Sequence, residues 1–195
     1  LASADPQQRM LAGDVRSSFF GIPLKGQTIG YVIDGDATMA PFIDEVAFIT
    51  DSVNEAIPSD SRKFGIVMAV NNGGKMLVEV SEPSSNLDGA RSILLARVPG
   101  GKTRLQSALA ATTNWYADQL FMIVSKPIQP AFAEVLAQSA AQTGAVTHVI
   151  ALGEAAKQDL STIAQSTGGE FVAVSDASLE KLVQRHTASK DSVNP

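Results

Sequence analysis

The sequence has 195 residues, no cysteine and a formal net charge of -5. Its 45% hydrophobic and 18% charged residues can bury a core, and the length suits one domain plus tails, which excludes global disorder. The missing cysteines exclude disulfides, thiolate metal sites and a cysteine nucleophile, the excess of acidic over basic groups argues against nucleic acid, and no apolar run approaches the ~20 residues of a membrane span.

Residues 1–18 and 187–195 are polar without a sustained period and read as tails, leaving a domain over 19–186. Because Leu1 stands where a start methionine would, the chain reads as an excised fragment with room for a signal peptide or anchor upstream. Within the domain, Thr28–Ile33 is apolar and β-branched and predicts a strand. Phe42, Val46, Ile49, Val53 and Ile57 follow at spacings of three and four, one stripe of an amphipathic helix between Pro41 and Pro58. Phe64–Val70 and Lys75–Val80 flank Asn71-Asn72-Gly73-Gly74, a tight-turn sequence, and predict an antiparallel pair. Residues 87–97 read as a short helical or irregular crossing.

After the Gly100-Gly101 break, a helix is expected over Thr103–Tyr116 with Leu105, Leu109, Thr112 and Tyr116 on one side. Leu120–Val124 is a continuous apolar run, as in a strand covered on both faces. A helix over 129–142 carries Phe132, Val135, Leu136 and Ser139 at helical spacing, stopped by Gly144. Then come a strand over Val146–Leu152, a helix over 155–166 with Ala156, Leu160 and Ile163, a strand over Phe171–Val174 and a helix over 177–186. This alternation predicts a doubly wound, Rossmann-like α/β three-layer sandwich, its mostly parallel sheet of about six strands bearing one antiparallel edge strand.

Ligands of open α/β sheets bind beyond the carboxyl ends of the strands. The residues expected there are Asp34, Gly35, Asp36, Ala37 and Thr38 after the first strand, Gly100 to Thr103 before the third main helix, Ser125 and Lys126 after the fourth strand, and Gly153 and Glu154 after the fifth. Val32-Ile33-Asp34-Gly35-Asp36-Ala37-Thr38-Met39 resembles the opening of a von Willebrand factor type A domain, an apolar strand followed by Asp-x-Ser-x-Ser. In order along the chain, Pro99 to Leu105 resembles that family's threonine loop. Phe121 to Pro127 resembles its strand ending in Thr-Asp-Gly, Ile150 to Gly153 its fifth strand, and Thr167 to Phe171 its Gly-Gly turn. The likeness spans about residues 19–185.

The resemblance implies a metal-ion-dependent adhesion site, with a divalent cation on the serines and threonine and an open position for a carboxylate of a protein ligand. It also favours the cell envelope or the extracellular space. Here Asp34 is kept, Asp36 and Thr38 replace the two serines, Thr103 is retained, and Lys126 stands for the second aspartate. An ammonium has donors and no lone pair for a cation, and two unit charges about 4 Å apart repel by roughly 4 kcal/mol at an effective dielectric of about 20. The expectation is a degenerate site, without a cofactor, in which Lys126 replaces the cation and pairs with Asp34 and Asp36. Ser125 joins the ligand-binding set, and if Mg2+ or Mn2+ binds, Asp34, Asp36, Thr38 and Thr103 hold it. The expected role is a non-enzymatic protein-interaction module for a protein ligand or larger assembly.

Other motifs compete. Ala96 to Thr103 fits a loose phosphate-loop pattern, but Ile93–Val98 with Arg97 makes a poor buried strand before it. Asp34-Gly35-Asp36-Ala37-Thr38 has the Asp-x-Asp-x-Thr spacing of an aspartyl phosphohydrolase, the alternative reading, with Lys126 as its lysine. The chain lacks the downstream Asp-Asp pair that would hold magnesium there. No Gly-x-Ser-x-Gly elbow is present. His148 reads as a core or edge residue, His186 as the close of the last helix, Trp115 and Tyr116 as packing residues, and Glu134, Asp159 and Glu180 as solvated.

Overall fold

The β-branched run at Thr28 and the apolar run at Leu120 become the two central strands of the fold. The computed structural model describes residues 5–57, 62–72, 75–96, 99–100 and 104–192. Its strands are β1 (Ser18–Phe19), β2 (Ile22–Pro23), β3 (Thr28–Gly35), β4 (Lys63–Asn72), β5 (Lys75–Ser84), β6 (Gln119–Val124), β7 (Val146–Ala151) and β8 (Phe171–Ala173). The six strands from β3 onward form one sheet in the order β5-β4-β3-β6-β7-β8. All of its neighbours pair in parallel except β4 and β5, which run antiparallel with Asn72 opposite Lys75. Gly73, Gly74 and Pro58, expected as turn and helix end, lie outside the described residues.

The helices are α1 (Pro6–Ala12), α2 (Ile43–Glu55), α3 (Asp88–Ala96), α4 (Leu105–Ala111), α5 (Pro130–Thr143), α6 (Ser161–Gln165) and α7 (Asp176–Asp191). They cover both faces, because alternate residues of a buried strand point to opposite sides. Ile29, Tyr31 and Ile33 of β3 pack in the core beneath α1, α2, α3 and α7. Val32 joins the core beneath α4, α5 and α6. This is the three-layer, mostly parallel architecture that the alternation predicts. Among the described residues no helix is long and apolar enough to cross a membrane.

Several local expectations are corrected. The stretch read as an N-terminal tail holds α1, capped by Asp5, whose Oδ1 accepts the Gln7 N–H. Its Met10 is buried, Arg9 pairs with Glu170, and Arg185 of α7 donates to the Met10 and Gly13 carbonyls. Seven polar-looking residues thus fold because tertiary packing supplies what local pattern lacks. A hairpin of β1 and β2 follows, turning through Phe20 and Gly21, both at positive φ. It buries Phe19 within 5.0 Å, ring centre to ring centre, of Tyr31 and Phe121.

The last helix does not close at His186 but runs five residues further, to Asp191. The helix expected over 155–166 is a 3-10 turn, Gly153–Lys157, followed by the short α6. In α5 the buried face is Leu136, Ala137 and Ala140, while Phe132 and Val135 are exposed. The helix expected to reach Tyr116 ends at Ala111. Trp115 is buried against Gly30 and Gly65, paired across β3 and β4, where a Cβ would sit within 3.1 Å of its ring. Tyr116 is not a packing residue, being 85% exposed.

Candidate functional site

The parallel strands deliver their carboxyl ends to one edge, and the polar residues cluster there. β3 carries Asp34 inward until it is 1% exposed. Gly35 follows because a Cβ would lie 2.1 Å from the Ala69 carbonyl of β4. The Gly35 carbonyl accepts the Gly100 N–H at 2.9 Å, which draws the 99–100 segment to the same edge.

Two aspartate turns then shape the loop. Asp34 Oδ1 accepts the Asp36 N–H at 3.0 Å. Asp36 Oδ1 accepts the Thr38 N–H at 3.1 Å and the Thr38 hydroxyl at 3.2 Å, capping a 3-10 turn, Ala37–Met39. A short acidic side chain that bonds the backbone two residues ahead is the local chemistry such a loop needs.

The second wall comes from the segment after β6. Ser125 is buried, and its hydroxyl lies 2.8 Å from Thr38 Oγ1. Its carbonyl accepts the Ala155 N–H at 3.1 Å, tying in the turn after β7. Lys126 Nζ stands 3.2 Å from Asp36 Oδ2, with the lysine side chain 46% exposed and that of Asp36 6%. Because the ammonium is half in water, the pair contributes about 1 kcal/mol or less to stability. Its larger consequence is to neutralise a buried carboxylate.

The structure therefore brings Asp34, Asp36, Thr38, Ser125 and Lys126 together. The pairing expected of Lys126 is present with Asp36. Thr103, the remaining expected site residue, lies outside the described residues, as do Gly101 and Lys102. Beside the cluster is a cavity of about 280 Å³ lined by Asp34, Leu105, Lys126, Ile128, Gln129 and Phe132. Sequence reasoning put Phe132 at helical spacing with Leu136 on this helix. Its exposure next to Lys126 follows from α5 turning Leu136, Ala137 and Ala140 to the sheet instead.

The donor set can be tested against a divalent cation. Carboxylate and hydroxyl oxygens suit magnesium. Here, however, Asp36 Oδ1 accepts two hydrogen bonds, Asp36 Oδ2 faces the ammonium, and the Thr38 and Ser125 hydroxyls bond each other. Among the described residues, each of these oxygens is thus engaged by another group. Among the described residues no group of three or more His, Asp or Glu is gathered in ligand geometry.

The two histidines lie elsewhere. His148 is buried in β7, where Nδ1 accepts the Glu170 N–H at 3.0 Å. Burial above all holds its pKa down to about 4. Protonation would also turn the bond to Glu170 into two facing donors. His186 is buried in the C-terminal half of α7, and its pKa is likewise lowered to about 4, first by burial and then by the charges of Arg185 and Lys190. Glu134, Asp159 and Glu180 are exposed as expected.

No family model matches the sequence, and no curated protein does. Solved structures do match in fold. The SpRpn10 VWA domain superposes with a TM-score of 0.60 at 13% identity, over 82% of this chain and 94% of that one. The pilus adhesin SpaC from Lactobacillus rhamnosus GG gives 0.57 at 13% identity, over 87% of this chain and 30% of that one. The human COPII-coat protein Sec24c gives 0.52 at 12% identity, over 82% and 32%. This chain thus spans under a third of the adhesin and of the coat protein. At such identities the likeness is one of fold, and the fold is that of a von Willebrand factor type A domain.

Proposed function

We propose that this chain is a non-enzymatic protein-interaction module of the adhesion type, binding its partner at the carboxyl ends of the parallel strands. The binding face comprises the segments around 34–39, 100–104, 125–129 and 153–155. In this reading the Lys126 ammonium takes the place of the divalent cation of a metal-ion-dependent adhesion site and offers its charge to an acidic group of the partner. The observation that carries it is the 3.2 Å contact between Lys126 Nζ and the buried Asp36 carboxylate, made by a lysine still half open to solvent. The kinship in fold with a pilus adhesin and with the Rpn10 VWA domain supports the class of role. The phosphohydrolase alternative is not favoured, because Asp34, its nucleophile, is 1% exposed and its backbone-directed oxygen already accepts a hydrogen bond.

Calorimetric titration with magnesium and with manganese tests the substitution of lysine for metal. The wild-type chain is expected to give no saturable heat, and Lys126→Asp is expected to create binding that Asp34→Ala removes. Saturable binding by the wild type, lost in Asp34→Ala, would sink the lysine-for-metal reading. Turnover of a generic phosphate ester, abolished by Asp34→Asn, would overturn the non-enzymatic one.

A further inference from the structure

α2 and α7 both start at the edge that carries Asp34 and run back along the sheet. Their last turns meet at the opposite pole, where Asn54 to Ile57 sit beside Arg62 and the start of β4. There Ser52 of α2 and His186 of α7 line a cavity of about 320 Å³ together with Arg16, Glu55, Ser189 and Lys190.

Ser52 is 7% and His186 3% exposed, yet Ser52 Oγ and His186 Nε2 have no hydrogen-bond partner. Buried polar atoms are nearly always paired, and an unpaired one carries an uncompensated desolvation cost. Two such atoms against one cavity, from helices more than a hundred residues apart in sequence, ask for a common partner. Arg16 adds a third donor. It donates from Nε to Ser189 Oγ at 2.8 Å and from Nη2 to the Ser189 carbonyl at 3.1 Å, and its Nη1 makes no hydrogen bond to a described residue.

The charge balance sets the sign of that partner. Glu55 is the acid of the cavity wall, and it is shared between Lys190 Nζ, at 2.9 Å, and Arg91. On the wall itself Arg16 and Lys190 outnumber Glu55, with the Asp14 carboxylate near enough to Arg16 to offset part of its charge. Burial leaves His186 neutral at pH 7, and in the tautomer protonated at Nε2 the ring has one proton to offer the cavity.

We propose that this cavity binds a small oxyanion, a carboxylate or a phosphate, with Ser52 Oγ and His186 Nε2 donating to its oxygens and Arg16 and Lys190 supplying the counter-charge. Its volume suits a small molecule. Both orphan atoms are covered by protein, so binding requires a side-chain rearrangement that opens them to the cavity.

The chain has two histidines, which makes the experiment direct. The imidazole resonances of the full chain are followed by NMR at pH 7 and constant ionic strength, titrating inorganic phosphate in one series and acetate in another, with chloride as control. The expected result is a saturable shift of His186, and not of His148, with at least one oxyanion, together with a rise in the His186 pKa at saturation. Response to phosphate alone assigns a phosphoryl ligand, and response to acetate alone a carboxylate. Ser52→Ala and Arg16→Gln should each weaken binding about tenfold or more while the unfolding midpoint of Ser52→Ala is kept. No saturable shift with either anion, as when water alone fills the cavity, overturns the proposal. So does a shift that survives both substitutions.

Discussion

At the carboxyl ends of the strands, Asp34, Asp36 and Ser125 are buried and bonded, each through a partner a few ångströms away in a loop built for it. At the opposite pole, Ser52 and His186 are as deeply buried, and a polar atom of each has no partner. The difference lies in how the residues are brought together. Asp34, Asp36 and Thr38 are spaced by two, so each carboxylate meets the next backbone N–H as the loop forms. Ser52 and His186 meet only when two distant helices pack, and nothing in either helix provides for the other's polar atom. The first arrangement completes itself, whereas the second leaves donors for something else to use.

The largest effect separating the poles is expected in acid. His148 and His186 have folded-state pKa values of about 4 against about 6.5 in an unfolded chain. The unfolded chain therefore takes up protons first. Stability is fully present above pH 6.5, falls as the pH drops toward 4, and stops falling on this account below it. Each histidine accounts for about 3 kcal/mol at full effect, at about 1.36 kcal/mol per pKa unit. Denaturant unfolding at pH 7.5, 5.5 and 4 should show the loss, and His186→Leu should retain only the part due to His148. Equal pH dependence in wild type and variant would break the account of the second pole.

A smaller effect is expected from Asp36→Ala. It removes the bond to the Thr38 N–H, the bond to the Thr38 hydroxyl and the Lys126 pair, and should cost about 2 kcal/mol at neutral pH in urea unfolding. The cost should exceed that of Lys126→Met, about 1 kcal/mol, because the half-exposed lysine gains little from its partner. If the order is reversed, the ion pair rather than the aspartate turn organises the loop.

The smallest effects give the sharpest contrast. Ser125→Ala removes the partner of Thr38 Oγ1 and should cost about 1 kcal/mol. Ser52→Ala removes a buried hydroxyl without a partner and should cost nothing, or stabilise by up to about 1 kcal/mol. Thermal unfolding of the two variants side by side checks this, and an equal loss in both would show that the poles do not differ.

The fold was largely legible in the sequence. Apolar runs such as Leu120–Val124, bounded by polar turns, read as strands covered on both sides, and the stripe Val46, Ile49 and Val53 reads as the buried face of a helix. The Asn71-Asn72-Gly73-Gly74 sequence marked the antiparallel pair of the six-stranded sheet. What escaped were elements held by tertiary contact. α1 is seven residues, too short to stand alone, and is fixed by Arg185 and by burial of Met10. The β1–β2 hairpin turns at Phe20 in positive φ, where no sequence rule places a phenylalanine. The rotation of α5 that exposes Phe132 depends on alanines, which carry little hydrophobic signal.

The candidate site divides along the same line. Sequence by itself determined which residues stand after each strand, because strand ends and turn chemistry are local. It thereby determined that a lysine and two aspartates would stand at the carboxyl ends of the strands. Only the tertiary structure decided that Lys126 reaches Asp36, that Ser125 meets Thr38, and that Ser52 and His186 close on one cavity. Each of those contacts joins segments tens to more than a hundred residues apart, and distance through the chain carries no information about distance through space until the sheet has fixed both ends.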